Sequence, residues 1–307
     1  MEKVLITGHK NPDTDSICSS IVMEKIAKHF GVNAEAVRLG NLNKETEYVF
    51  KYLNKEPQRM IEKVDEGQKL ILVDHNEAGQ SVDNRENAEI LAVIDHHRIS
   101  DFKTATPLYY FAKPVGCTAT ILYEIMKEKN IEISKEDAIL LISAISSDTL
   151  SLKSPTCTDE DVKAFNELEN IAGIDAKAYA LDMLKAGTDI SDLTADKIIN
   201  LDAKLLEEGG KKIVINQVNT AEIDDVFSRK EEIVEAMNRE IEEKNIDLFI
   251  FVITDIINTN SKIIVLGNSS DIAEKAFNKK LDSDNSMMLE GVVSRKKQIV
   301  PPIVKCL

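Results

Sequence analysis

Val4-Leu5-Ile6-Thr7-Gly8-His9-Lys10-Asn11-Pro12-Asp13-Thr14-Asp15-Ser16 joins a short apolar run to a polar turn and then to a stretch that stays helix-compatible as far as Phe30. Val4 to Ile6 reads as a fully buried strand. Ser16 to Phe30 reads as the helix after it, with Asp15 as N-cap and Gly31 as the stop. A strand, a polar turn and a helix make half of a βαβ unit. Further along, Leu70-Ile71-Leu72-Val73 and Ile90-Leu91-Ala92-Val93-Ile94 are continuous rather than alternating apolar runs, as parallel strands covered on both faces require. The first half is therefore expected to be an open, mostly parallel α/β sheet with helices on both faces.

Helices are predicted at about Thr118 to Lys129 and Lys135 to Ser146, the second opened by a capping box at Ser134-Lys135-Glu136-Asp137. Thr158-Asp159-Glu160-Asp161 opens another that runs toward Ile171 and stops at Gly173. From Lys185 to Asp196 the sequence turns polar without a sustained apolar face, which gives a domain 1–187, a linker 188–195 and a second domain 196–307. The second domain is expected to be a smaller mixed α/β unit. It would have a helical pattern over Asp196 to Glu207, a strand at Ile213 to Ile215 and a long helix from about Ala221 to Lys244. A strand at Leu248 to Ile253 follows, with an antiparallel return at Lys262 to Leu266 after the turn Asn258-Thr259-Asn260-Ser261.

At 307 residues the chain exceeds the size at which one core usually keeps growing, so two domains are the natural expectation. Its 38 Lys+Arg against 53 Asp+Glu give a net charge of −15, a field that repels polyphosphate backbones and argues against nucleic-acid binding. Cys18, Cys117, Cys157 and Cys306 show no paired spacing, consistent with free thiols in a reducing, cytoplasmic setting; Cys18 and Cys117 read as small buried hydrophobes. The longest apolar stretch, Leu248 to Ile253, is too short to span a bilayer, so no membrane partner is expected.

Four of the five histidines lie beside aspartates in segments that each follow an apolar run: His9 with Asp13 and Asp15, Asp74-His75-Asn76, and Asp95-His96-His97. In open α/β sheets ligands bind beyond the carboxyl ends of the strands, so these segments should converge on one crevice. Asp148, at the end of the apolar helix segment Ile139 to Ile145, supplies a further carboxylate. Four carboxylates and at least two imidazoles suffice for two divalent cations that share an aspartate. Such a pair can hold a bridging water, lower its pKa and present hydroxide for in-line attack on phosphorus. Taken singly, His9 reads as a surface or capping residue, Asp74 and Asp95 as turn formers, and Asp148 as an ordinary helix end. In a chain this acidic the run Arg295-Lys296-Lys297 stands out as a source of cations for a bound phosphate.

Gly8-His9-Lys10-Asn11-Pro12-Asp13-Thr14-Asp15-Ser16, Val73-Asp74-His75-Asn76, Ile94-Asp95-His96-His97-Arg98 and Val293-Ser294-Arg295-Lys296-Lys297-Gln298 together resemble the signatures of family II inorganic pyrophosphatases, manganese-dependent members of the DHH phosphoesterase superfamily. Pro114-Val115-Gly116-Cys117-Thr118 and Ser154-Pro155-Thr156-Cys157-Thr158 extend the likeness over essentially the whole chain. The resemblance implies diphosphate as substrate. It implies one metal on His9, Asp13 and Asp74 and a second on Asp15, Asp74, His96 and Asp148, with phosphoryl oxygens held by His97, Lys204, Arg295 and Lys296. It further implies a homodimer through the N-terminal sheet edge; because the basic clamp lies on a separate domain, open and closed arrangements are expected, with substrate favouring closure. Manganese suits a histidine–carboxylate site without thiolates, with cobalt as a possible substitute and magnesium accompanying the substrate. The roughly 14 residues from Lys55 to Gln68 leave no room for the nucleotide-binding insert of some relatives. Two other readings compete. One is another DHH phosphoesterase acting on short polyphosphate or oligonucleotides, whose glycine-rich substrate motif is not found here; the other is a metal-loaded sensor without turnover.

Overall fold

The computed structural model describes residues 3–307 and divides the chain into two compact units, with the boundary between Gly187 and Thr188. In the first unit the elements are β1 (Val4–Thr7), α1 (Thr14–His29), β2 (Ala34–Arg38), α2 (Lys44–Tyr52), β3 (Arg59–Met60), β4 (Lys69–Val73), β5 (Glu89–Asp95) and β6 (Tyr109–Ala112). Four helices follow: α3 (Thr118–Glu128), α4 (Lys135–Asp148), α5 (Asp159–Ala172) and α6 (Ala176–Gly187).

The six strands are all parallel, in the order β3-β2-β1-β4-β5-β6. The chain builds outward from β1 in one direction and then restarts from β4 in the other. The carboxyl ends of β1 and β4 therefore flank the switch point, where such sheets bind their ligands. The apolar runs are buried as their continuity requires: Ile6, Leu70, Leu72, Val73 and Val93 have no exposed surface.

α1 begins two residues earlier than the sequence pattern suggests, and its cap is Asp13, not Asp15. Asp13 has an extended backbone and its Oδ1 accepts from the Ser16 amide at 2.9 Å, so the carboxylate nearest the first free N–H groups takes the capping role. The capping boxes at Ser134/Asp137 and Thr158/Asp161 form as expected, and Gly173, at φ 64°, closes α5.

The second unit comprises α7 (Ala195–Ile198), β7 (Lys204–Glu208), β8 (Lys211–Thr220), α8 (Ile223–Phe227), α9 (Lys230–Lys244), β9 (Leu248–Asp255), β10 (Asn260–Leu266), α10 (Asp271–Phe277), β11 (Ser286–Leu289) and α11 (Val300–Lys305). Its mixed sheet runs β11-β10-β9-β8-β7, with only β8 and β9 parallel. β9 is buried at every position, and its side chains alternate between two cores: Leu248, Ile250 and Val252 on one face, Phe249, Phe251 and Ile253 on the other.

Three expectations for this unit are corrected. Lys204 is not helical: the helix over 195–198 ends, Asp202 takes φ 32°, and Lys204 opens a β-strand paired to Ile215. The helix expected from Ala221 to Lys244 is two helices, separated at Ser228-Arg229. There Arg229 turns its guanidinium to the carbonyls of Ile190 and Leu193, fixing the 188–194 segment to the second unit's core. The third concerns Gly291-Val292-Val293, which reads in the sequence as strand-like just before the basic run and is not a strand. The strand ends at Leu289, and Gln298 Oε1 accepts from the Val293 and Ser294 amides while Arg295–Ile299 winds as a π-helical turn. No helix among the described residues is long and apolar enough to cross a membrane.

Candidate metal centre

The loop after β1 is shaped by one close approach. A Cβ on Gly8 would lie 1.9 Å from Ser16 Oγ, and that same oxygen accepts from the His9 amide at 2.7 Å. Only glycine allows the loop to fold onto the first turn of α1, which places His9, Asp13 and Asp15 together. At the end of β4, Asp74 sits in the left-handed region, φ 60°, with its amide bonded to Ile94 O. A non-glycine residue held there stores strain, and such residues concentrate at functional sites.

Among the described residues three groups of metal-competent side chains result: His9, Asp13 and Asp74; Asp15, Asp74, His96 and Asp148; and Asp74, His96 and His97, with the ligand atoms of each within 4.8 Å of one another. Asp74 belongs to all three. His9 Nε2 lies 3.3 Å from Asp13 Oδ2 and 3.4 Å from Asp74 Oδ2; His96 Nε2 lies 3.4 Å from Asp74 Oδ1 and 3.6 Å from Asp148 Oδ2. Both rings are turned the same way. Nδ1 of His9 donates to Lys10 O at 2.8 Å and Nδ1 of His96 to Val115 O at 3.1 Å; since a carbonyl only accepts, each Nε2 is left facing the carboxylates.

The site is electrostatically incomplete on its own side chains. Burial, together with Asp74, raises Asp15 to about 7, and burial with the neighbouring aspartates pushes Asp148 well above the usual carboxylate range. Burial opposes charge on His9 and His96, yet the facing aspartates win and lift them to about 11 and about 9. Burial likewise opposes charge on Asp74, but these two imidazoles hold it below its ordinary value. Asp74 Oδ2 is buried without a hydrogen-bond partner. A buried carboxylate oxygen with no donor, facing imidazole nitrogens and further carboxylates, fits a divalent cation.

The surrounding groups orient these ligands. Thr118 donates its amide to Asp15 Oδ2 at 2.7 Å and its hydroxyl to Asp74 Oδ1 at 3.2 Å, and Ser19 donates to Asp15 Oδ1 at 2.5 Å. Sequence reading assigned Thr118 no such role; the signal was its place at a helix start in the Pro114–Thr118 motif. Asp95 is not among the clustered ligands. It accepts from His97 Nδ1 at 2.9 Å and from Asn76 at 2.6 Å, so it steers His97, whose side chain is half exposed. His75 is structural: its nitrogens meet Val73 O and Ser81 Oγ, and burial lowers it to about 4. Cys18 and Cys117 are buried thiols that burial pushes up in pKa, outside every cluster.

The basic candidates lie in the second unit. Lys204 and Lys296 have exposed side chains, whereas Arg295 donates to the Asp202 carbonyl and, at 2.9 Å, to Asp202 Oδ1, drawing the Asp202–Lys204 and Ser294–Lys296 segments together.

Residues 3–145 match the DHH family, N-terminal domain, and residues 181–306 the DHHA2 domain. The chain is 52% identical over 308 residues to the manganese-dependent inorganic pyrophosphatase of Bacillus subtilis and 54% identical over 308 residues to the probable manganese-dependent inorganic pyrophosphatase of Bacillus licheniformis. Each alignment covers 100% of this chain and 99% of the relative. Among solved structures, a Methanococcus jannaschii protein provisionally assigned to the family II inorganic pyrophosphatases aligns with a TM-score of 0.63 at 40% identity, covering 99% of both chains. An exopolyphosphatase-related protein of Bacteroides fragilis shares the fold at 16% identity, with a TM-score of 0.51 and coverage of 99% of this chain and 91% of that one. Full-length identity at this level, on a two-domain α/β frame whose switch point gathers the Asp–His cluster, shows that the chain belongs to the manganese-dependent, family II inorganic pyrophosphatases.

Proposed function

We propose that the protein hydrolyses diphosphate to two orthophosphates with two Mn2+ ions per subunit. The observation that carries this reading is Asp74, one buried carboxylate shared by a His9/Asp13 group and an Asp15/His96/Asp148 group. When bound there, the cation pair supplies a water of lowered pKa as nucleophile and Lewis acidity toward phosphoryl oxygens.

The chain's own residues do the rest. Asp74 holds both sites in register. His97, with Nδ1 fixed by Asp95, keeps Nε2 for a phosphoryl oxygen or for a proton to the leaving group. Lys204, Arg295 and Lys296 bind the remaining phosphoryl oxygens, Arg295 by its planar fork and the lysines as point charges. In this reading residues 1–187 form the metal-binding domain, 188–195 the connection and 196–307 the substrate-binding domain, and substrate draws the two domains closed. The absence of thiols from the ligand groups supports manganese over a structural zinc site. Cobalt is expected to substitute, and magnesium to accompany the substrate. The same reading places the protein in the cytoplasm as a homodimer; edge strand β6, with Tyr109 and Phe111 exposed, is a surface that such pairing would cover.

Phosphate release from diphosphate and from a dinucleotide, each with Mn2+ and with chelator, tests the proposal. Manganese-dependent turnover of diphosphate is expected; turnover of the dinucleotide alone would assign the chain to another DHH activity.

A further inference from the structure

Glu45 stands in the first turn of α2, where an acidic side chain ordinarily does no more than face its own helix's free amides. Asn43 already caps that helix, accepting from the Thr46 amide at 2.8 Å. The Glu45 carboxylate instead leaves α2 and meets two other helices. Its Oε2 accepts from Ser147 Oγ at 2.5 Å and from Thr14 Oγ1 at 3.3 Å. Thr14 is fully buried and lies between Asp13 and Asp15; Ser147 immediately precedes Asp148. One oxygen thus joins the start of α1, which carries two candidate ligands, to the end of α4, which carries another.

A third element closes over the same side chain. A Cβ on Gly187, the last residue of α6, would fall 2.2 Å from Glu45 Cγ and 2.7 Å from Oε1. With no side chain at Gly187, the Glu45 side chain fills the space beside the end of α6.

Resting on the two-metal reading above, we infer that Glu45 is a positioning residue for the metal centre: a tether that accepts from Thr14 and Ser147 and so fixes the spacing of Asp13 and Asp15 against Asp148. Metal sites tolerate little ligand displacement, and groups that orient ligands typically contribute 10–100-fold to metal affinity.

The experiment titrates Mn2+ into metal-free wild type, Glu45→Ala, Glu45→Gln and Ser147→Ala, following free Mn2+ by its electron paramagnetic resonance signal and the metal-free melting temperature in parallel. Glu45→Ala is expected to raise the Mn2+ dissociation constant about 10-fold, with Ser147→Ala moving it the same way by less. Glu45→Gln keeps an accepting carbonyl oxygen and is expected to stay within about threefold of wild type. Wild-type affinity in both Glu45→Ala and Ser147→Ala, with only the melting temperature lowered, would overturn the tether. So would a Glu45→Gln variant as weak as Glu45→Ala, since charge rather than geometry would then be the cause. Should Glu45→Ala not fold, Ser147→Ala carries the test. Wild type that takes up no Mn2+ would instead remove the metal centre itself, a separate failure.

Discussion

Adjacent histidines face different ways here because their Nδ1 atoms are held by different partners. His96 is turned by a backbone carbonyl so that Nε2 faces Asp74 and Asp148; His97 is turned by Asp95 and stays half exposed. His96→Ala is expected to weaken Mn2+ binding by at least about 10-fold, whereas His97→Ala should keep near-wild-type Mn2+ binding and lose about 10²-fold or more in kcat. Equal loss of metal in both, read by titration, would contradict that division. Arg295→Ala should leave Mn2+ binding unchanged, read by titration, while lowering kcat/KM for diphosphate about 10²-fold at saturating Mn2+. At this scale the grouping of His9, Asp13, Asp15, Asp74 and His96 was legible, because each lies in a segment that follows a buried strand and such segments meet at the strand-end crevice; His75 and Asp95, which also follow buried runs, turn to other partners. Asp148 and Thr118 were less legible. Each looks like an ordinary helix-terminal residue until the packing of α3 and α4 against α1 is known. The exchange of capping roles between Asp13 and Asp15 follows from a turn geometry that residue types do not reveal.

Among the elements, the segment after α4 places three consecutive residues in the left-handed region. Leu150, Ser151 and Leu152 take φ values of 48°, 52° and 68°, a turn of left-handed backbone closed by the Lys153 and Ser154 amides on Thr149 O, immediately after Asp148. Left-handed backbone costs an L-residue roughly 1–2 kcal/mol, and glycine largely escapes that cost while losing some chain entropy. Ser151→Gly is therefore expected to be neutral to stabilising by about 0.5 kcal/mol and Ser151→Val destabilising by about 1–2 kcal/mol. Chemical denaturation would measure both, and the opposite order would show that the turn is relaxed. Legibility at this level follows length and burial. The long continuous runs of β1, β4, β5 and β9 declare themselves, as do helices with capping boxes. Strand β3 is exposed and only two residues long, and strand β6, Tyr-Tyr-Phe-Ala, is too short and too exposed to show the continuous buried run that marks a covered strand. Lys204 was misread because the polar residues of an exposed edge strand can be laid on a helical period just as well.

Taken whole, the molecule is a strongly acidic chain that buries several aspartates at one point, so its stability and its chemistry should both depend on cations. A ligand that binds only the folded state adds about 2.7 kcal/mol per site at 100 times its dissociation constant. Thermal unfolding should accordingly shift upward with Mn2+, and Asp74→Asn should abolish most of that shift; an unchanged melting curve in wild type with and without chelator would contradict it. The two-unit division and the parallel first sheet were readable from the polar interruption near residue 187 and from the unbroken apolar runs. The gathering of distant segments at one switch point depends on strand order, which the chain encodes only through tertiary packing. The proposed chemistry requires Asp74 to be shared between two cations. Anomalous diffraction at the manganese edge from Mn2+-loaded crystals tests it most directly. Two peaks roughly 3.5–4 Å apart on either side of the Asp74 carboxylate are expected; a single peak, or two peaks of which only one touches Asp74, would rule out a shared aspartate.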